Sequence, residues 1–265
     1  VYDLQGWQYS DTLIDAAGID PAILPEIVPS TEVIGTLTAE AADALGLPQS
    51  VQVVAGGVDN SCMALGAKAY KEGRMYNSLG SSSWIAVASD TPVLCPDSRP
   101  YVFTHVVPGM YTSAMGIFSA GTSFRWVRDT LCADLVAQAE ADGTDVYELM
   151  TALAADSPVG ANKLLFNPSL AGGNSLDASQ NVRGAFLNLD LSHTRADAVR
   201  ASMEGISMGL RVLLDELGRL TTLGDEMLLV GGGARSELWR QIYADVYNLR
   251  IVKTNIDQQA AALGA

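Results

Sequence analysis

The spacing of apolar side chains predicts one dominant amphipathic helix between residues 195 and 220. Seven apolar residues recur there at intervals of three or four, which places them on one helix face: Val199, Met203, Ile206, Leu210, Leu213, Leu214 and Leu217. Burying such a face stabilises a fold by roughly 1.5–3 kcal/mol per side chain before entropy is subtracted. We therefore predict that this helix packs against a sheet and that its methionines fill the core.

Short runs of apolar and β-branched residues predict strands on both sides of this helix. Four of them are separated by Gly, Pro and Ser turns, which is typical of an antiparallel meander: Met75–Leu79, Trp84–Ala88, Tyr101–Val107 and Tyr111–Ile117. Four more are predicted elsewhere, the first of them buried: Val51–Ala55, Lys163–Phe166, Glu226–Val230 and Arg250–Thr254. Together with the helices, these strands predict an α/β fold, a mixed sheet with helices on both faces.

Other helices are shorter and are marked by their ends. Thr38 is suited to cap a helix that stops at Gly46, and Asp59 is expected to open one that runs to Gly73. Residues 133–160, acidic and rich in alanine, are expected to be helical with a loop, whereas Pro168–Gly184 is a polar loop. Further helices are predicted over Asp11–Ala17, Ser123–Leu131, Ser236–Asn248 and residues 259–265.

Composition and charge exclude several classes of function. The 265 residues include 30 acidic and 16 basic ones, and a net charge of −14 opposes the phosphate contacts of non-specific nucleic-acid binding. No apolar run reaches the ~20 residues of a membrane-spanning helix. Three cysteines without CxxC spacing and only two histidines argue against a disulfide framework or a zinc site. We expect a cytoplasmic protein that binds neither nucleic acid nor membrane and supplies no metal ligand.

A glycine-rich turn places an acidic residue after the first of these strands. The sequence is Gly56-Gly57-Val58-Asp59-Asn60. Asp59 has two interpretations. It could cap the following helix, which is a common role for aspartate, or it could accept a hydroxyl proton as a general base. By position alone, the helix cap is the more common role.

Two further glycine-containing turns are candidates for binding phosphate. Gly80-Ser81-Ser82 lies between two strands, where N–H and hydroxyl groups can hold phosphate oxygens, although an ordinary hairpin is the alternative. Gly231–Ser236 joins a strand to a helix, and a helix N-terminus attracts anions. The second turn matches neither the G-x-G-x-x-G nor the Walker A pattern. Neither turn identifies a function alone.

Taken in order, the motifs resemble the FGGY family of carbohydrate kinases, and the last is especially similar to its xylulose kinases. The strings that carry the resemblance are Val54–Asn60, Asn77–Ser82, Arg183–Phe186, His193–Asp197, Met203–Ile206 and Val230–Asp245. The resemblance implies two actin-like (ribonuclease-H-like) domains around a cleft. Residues 1–73 would be the C-terminal part of the sugar-binding domain, and residues 74–265 a nucleotide-binding domain truncated at its end.

The resemblance also implies roles for individual residues. Asp59 would be the base that deprotonates the sugar hydroxyl, with Asn60 beside the sugar. The substrates would be a sugar, xylulose first, and ATP with Mg²⁺ bridging its phosphates. The residues implied at the nucleotide are Gly80, Ser81, Ser82, Gly121, Gly232, Gly233, Ala234 and Ser236.

The chain departs from the family pattern in several places. The first phosphate loop, Asp-x-Gly-Thr, is absent from the sequence, and the chain opens on Val1-Tyr2-Asp3-Leu4 without an initiator Met. We therefore expect a fragment that is inactive by itself. Ser169–Asn174 stands where many members have Tyr-Leu-x-Gly-Glu-Arg, which leaves ribulose, gluconate or glycerol as alternative substrates and a non-catalytic sensor as an alternative function. Trp84 and Trp126 are expected in the core, and a homodimer is the expected assembly.

Overall fold

The computed structural model describes residues 1–256 and 259–265. Its helices are α1 (Asp11–Ala17), α2 (Ala39–Leu45), α3 (Asp59–Gly66), α4 (Gly121–Leu131), α5 (Ala133–Asp142), α6 (Val146–Ala155), α7 (Arg195–Leu220), α8 (Glu237–Tyr247) and α9 (Ala260–Gly264). Its strands are β1 (Tyr2–Asp3), β2 (Gln8–Tyr9), β3 (Val33–Thr36), β4 (Gln52–Val54), β5 (Met75–Leu79), β6 (Ser83–Ser89), β7 (Tyr101–Thr104), β8 (Tyr111–Ile117), β9 (Leu165–Asn167), β10 (Ala185–Leu187), β11 (Glu226–Val230) and β12 (Arg250–Lys253). No described helix combines the length and apolar character needed to cross a membrane.

A six-stranded mixed sheet in the order β12-β11-β5-β6-β8-β7 forms the centre of the fold. β5, β11 and β12 run parallel, and β5, β6, β8 and β7 pair antiparallel. The predicted mixed sheet is confirmed. The predicted meander is wrong in its order, because β6 pairs along its whole length with β8 and leaves β7 at the edge. The Pro-containing segment 90–100 between β6 and β7 is long enough to pass β8.

The long helix α7 covers one face of this sheet. It begins with a capping box, in which Thr194 Oγ1 accepts the Asp197 N–H and the Asp197 carboxylate accepts the Thr194 N–H. All seven residues of the predicted apolar stripe are buried in one cluster with inward-facing sheet residues such as Met75 and Ile85. Helices α4, α6 and α8 contribute to the same cluster. The predicted helix and its role in the core are confirmed.

Helices α3 and α9 cover the opposite face. Tyr76 and Leu228 pack there with Ala64 of α3 and Ala260 of α9. The two helices cross without space for side chains, since Gly66 meets the Ala260 carbonyl and Gly264 meets the Cys62 carbonyl. Both faces of the sheet therefore carry helices, as predicted. The close crossing also fixes the position of α3, the helix that Asp59 opens.

Three local predictions are corrected. β4 is not a buried strand, because it pairs only with β3 in a two-stranded ribbon that has no interior. α3 ends at Gly66 rather than Gly73, because Lys68 adopts a left-handed φ of 61° that a helix cannot continue through. The strand predicted from Lys163 begins at Leu165 and pairs with β10, which was not predicted. The helices predicted between residues 133 and 160 are present as α5 and α6.

Candidate active site

Asp59 is the first residue of α3 and not its N-cap. The N-cap is Val58, which makes no side-chain capping hydrogen bond. The Asp59 carboxylate is exposed, and its Oδ1 accepts the N–H of Asn60 at 2.8 Å. A negative charge in the first helical turn is favourable, but the usual capping bond to the second or third N–H is not made. The helix-cap interpretation is therefore wrong in its simple form, and the carboxylate faces solvent.

The turn that carries Asp59 is held by the loop between β7 and β8. Gly57 lies against Val106 without space for a Cβ atom. Ser61 Oγ donates to the Thr104 carbonyl at 2.6 Å, and His105 Nε2 contacts the Ala69 carbonyl at 3.1 Å. Sequence reasoning missed these supports, since each is a single polar residue without a pattern around it. The turn and α3 are consequently held by contacts before the helix, within it and after it.

Tyr76 connects Asp59 with the sheet electrostatically. Burial raises the pKa of Tyr76 to about 12, although the hydrogen bond with Trp84 opposes the rise and the negative charge of Asp59 adds to it. The phenol therefore stays protonated and lies within 3.3 Å of the Trp84 indole nitrogen. Asp59 consequently lies on the α3 face of β5, the strand that leads into the Gly80 turn. Trp84 is half-buried against this face, whereas Trp126 is exposed and is not the core residue that was predicted.

The turn Gly80-Ser81-Ser82 docks on the N-terminus of α4. The Gly80 carbonyl accepts the Gly121 N–H at 3.0 Å, and the Ser81 carbonyl accepts the Ala120 N–H at 3.1 Å. A Cβ atom at Gly121 would collide with the Gly80 carbonyl, so only glycine permits this approach. The structure thus brings the predicted residues Gly80, Ser81, Ser82 and Gly121 together.

The third turn, Gly231–Ser236, contacts the end of β5. Gly231 has a φ of 92°, and a Cβ atom there would lie 2.5 Å from the Leu79 carbonyl. Gly233 lies directly against the Leu79 side chain. The turn was predicted to join β11 directly to α8. This is wrong, because Gly232–Arg235 first forms a 3₁₀ turn that buries Ala234. Ser236 then caps α8, its Oγ accepting the Trp239 N–H at 3.2 Å.

The Gly80 turn with Gly121 and the Gly231–Ser236 turn therefore meet at the end of β5, and Asp59 and Asn60 lie at the start of α3. Within residues 1–256 and 259–265, no hydrogen bond or ion pair joins Asp59 to the Gly80 turn. The described residues also contain no cluster of three or more His, Cys, Asp or Glu side chains suited to a metal ion. The arrangement offers an exposed carboxylate at the start of α3, on one face of the sheet, and glycine-lined backbone groups at the end of β5.

Family models place this architecture in a known class. The model of the N-terminal domain of the FGGY family of carbohydrate kinases matches residues 1–66, and that of the C-terminal domain matches residues 75–265. The chain therefore belongs to the FGGY family of carbohydrate kinases, and its fold is the actin-like, ribonuclease-H-like fold of that family.

Individual relatives agree with this assignment. The chain is 34% identical over 247 residues to a xylulose kinase of Staphylococcus epidermidis, covering 92% of this chain and 47% of that protein. It is 29% identical to a gluconokinase of Bacillus subtilis, covering 99% of this chain and 51% of the relative. A solved xylulose kinase from Rhodospirillum rubrum superposes with a TM-score of 0.83 at 30% identity, covering 99% of this chain and 51% of that one. The chain thus spans about half the length of the relatives it matches.

Proposed function

We propose that the complete gene product is an ATP-dependent sugar kinase and that Asp59 is its general base. The observation that carries the proposal is the exposed carboxylate of Asp59, the first residue of α3. This helix covers one face of the sheet whose strands β5 and β11 lead into the glycine-containing turns. Relatives named xylulose kinase support a pentulose substrate, with xylulose first. Relatives named gluconokinase keep other sugars as alternatives.

The proposed reaction transfers the γ-phosphoryl group of ATP to a sugar hydroxyl. Asp59 accepts the hydroxyl proton as the sugar oxygen forms its bond to phosphorus, and the bond from phosphorus to the ADP oxygen breaks. Asn60, half-buried next to Asp59, would orient the sugar. Gly80, Ser81 and Ser82 would contact the γ-phosphate, Gly121 would lie beside the nucleotide, and Gly232, Gly233, Ala234 and Ser236 would hold the adenosine.

Mg²⁺ is implied by the resemblance, but the described residues do not supply a ligand set for it. Mg²⁺ commonly binds one or two carboxylates together with substrate phosphates. The steps proposed here use only groups of the chain and the two substrates, with Mg²⁺ arriving on ATP.

We also propose a cytoplasmic protein that forms homodimers and binds neither nucleic acid nor membrane. Cys62, Cys95 and Cys132 are all free thiols, which supports a reducing compartment. The net charge of −14 supports the exclusion of nucleic acid. Size-exclusion chromatography with light scattering tests the dimer, and a mass equal to one subunit would contradict it.

A coupled assay of ADP release over a panel of sugars tests the proposed function. The panel contains xylulose, ribulose, gluconate and glycerol, and the protein is the complete gene product. We expect ADP release that depends on sugar and is fastest with xylulose. Faster release with another member would reassign the substrate within the family. Release stimulated by no sugar, from a protein that binds ATP, would instead favour the non-catalytic sensor.

A further inference from the structure

A fully buried amide lies beneath the Gly80 turn. Asn77 is 0% exposed in the middle of β5. Its Nδ2 donates to the Trp84 carbonyl at 2.9 Å and to Ser83 Oγ at 3.0 Å, and it lies 3.3 Å from the Ser78 carbonyl. Ser83 Oγ in turn donates to the Ser78 carbonyl at 2.8 Å. The two strand ends that carry the turn are therefore joined by one side chain from within the core.

The same amide is connected to the helix that follows the third glycine turn. Tyr247, in the last turn of α8, donates its hydroxyl hydrogen to Asn77 Oδ1 at 3.1 Å. Burial raises the pKa of Tyr247 well above its usual value, so the hydroxyl remains a donor. With both amide hydrogens and the amide oxygen engaged, Asn77 is a satisfied polar group in an apolar core. Such groups specify geometry, because a misplaced partner leaves a buried polar atom unpaired.

We propose that Asn77 and Tyr247 are positioning residues that couple the Gly80 turn to the Gly231–Ser236 turn. This proposal rests on the proposed function, in which the two turns bind opposite ends of ATP. Leu79 provides a second contact between them, since Gly231 and Gly233 pack directly on it. The Gly80 turn is exposed, and the N-terminus of α4 holds it from one side while the buried bonds of Asn77 and Ser83 hold it from beneath. The pair thus places the γ-phosphate groups at a set distance from the adenosine groups.

Replacing Tyr247 with phenylalanine in the complete gene product tests the coupling. Tyr247→Phe removes the hydroxyl and keeps the ring in the core. Tyr111→Phe is the matched control, because this buried tyrosine also donates a hydrogen bond, to the Leu4 carbonyl, but lies at the opposite end of the sheet from the Gly80 turn. Calorimetry measures the affinity for two ligands. A non-hydrolysable ATP analogue would contact both turns, whereas adenosine would contact only the Gly231–Ser236 turn.

We expect Tyr247→Phe to weaken binding of the ATP analogue by about threefold to tenfold, the effect of one lost hydrogen bond, and to leave adenosine binding unchanged. Tyr111→Phe should change neither. Equal loss for both ligands would show a merely structural role, and unchanged analogue binding would show no coupling; either result overturns the proposal. Wild-type protein that binds neither ligand would overturn the proposed function as well, so the two failures are distinguishable.

Hydrogen exchange provides a second readout that does not depend on nucleotide. Amides of Gly80-Ser81-Ser82 should exchange faster in Tyr247→Phe than in wild type, and at the wild-type rate in Tyr111→Phe. Asn77→Asp, which removes both amide donors at nearly constant volume, should accelerate exchange further in the same turn. Exchange that stays at the wild-type rate in folded Tyr247→Phe and Asn77→Asp would contradict the proposal.

Discussion

At the scale of single residues, Asp59 lies one residue inside α3, and this position leaves its carboxylate without the usual capping bond. An aspartate at the N-cap position would direct its oxygen to the N–H groups of the first turn and be occupied there. Because Val58 takes the cap position, the Asp59 carboxylate bonds only to the neighbouring Asn60 N–H and remains exposed. A carboxylate so placed is able to receive a proton from a bound hydroxyl group.

His105 gives a prediction about pH and stability. Burial lowers the pKa of His105, although its bond to the Ala69 carbonyl opposes this, and Nδ1 accepts the Val107 N–H at 2.9 Å, which requires the neutral ring. The unfolded chain takes up the proton near pH 6.5, before the folded one. The contribution of His105 to the free energy of unfolding is therefore complete above this pH and is lost as the pH falls below it.

Thermal unfolding between pH 5 and pH 7.5 checks this prediction. We expect the melting temperature of wild type to fall more steeply towards pH 5 than that of His105→Gln. Equal slopes for wild type and His105→Gln would contradict the assignment.

At the scale of elements, two glycines of α7 test how closely the helix is packed. A Cβ atom at Gly205 would collide with the Phe166 carbonyl of β9, whereas one at Gly209 would lie 3.6 Å from Pro168 Cγ, an ordinary contact. Gly205→Ala should lower the free energy of unfolding by about 1–3 kcal/mol through overpacking. Gly209→Ala should raise it by up to about 1 kcal/mol, since alanine favours the helix.

Urea denaturation of the two variants measures both changes against wild type. Since the substitutions are identical and lie one turn apart, helix propensity cancels between them. Similar changes in stability for Gly205→Ala and Gly209→Ala would contradict the close packing of α7 on β9.

Elements that carry their own pattern were predictable from the sequence, and pairings between distant segments were not. α7, β5, β8 and β11 have the predicted bounds, because apolar periodicity or a short strand-like run between turn residues defines each locally. The order of β7 and β8 depends on which of these two strands pairs with the edge of β6 that β5 leaves free, which no local pattern encodes. The ribbon of β3 and β4 was likewise missed, since Gln52–Val54 resembles a buried strand in composition alone.

The candidate site shows the same division. The Gly80 and Gly231–Ser236 turns were identified in sequence as glycine-containing turns after strands, and Gly121 was implied by the family resemblance. The structure packs Gly121 on Gly80, and Gly231 and Gly233 on Leu79. Asn77 and Tyr247 were missed, because their partnership spans 170 positions. One signal was present: Asn77 is a polar residue within the buried strand Met75–Leu79.

At the scale of the whole molecule, the chain holds the proposed base and the nucleotide turns but lacks one phosphate loop of the family. Asp-x-Gly-Thr is absent from the sequence, and the similar string Asp142-Gly143-Thr144 lies at the end of α5, where Gly143 is the helix C-cap. We therefore expect the 265-residue chain, produced by itself, to show no sugar-dependent release of ADP. Robust turnover by the purified chain would contradict this expectation.

The central claim is that Asp59 removes a proton from the sugar, and the turnover of Asp59→Asn in the complete gene product tests it most directly. The substitution keeps shape and removes the base, so kcat should fall by about 10²- to 10⁴-fold while ATP binding stays unchanged. Asp15→Asn, the same change at an exposed position of α1, should keep wild-type turnover. Wild-type turnover by Asp59→Asn would contradict the account.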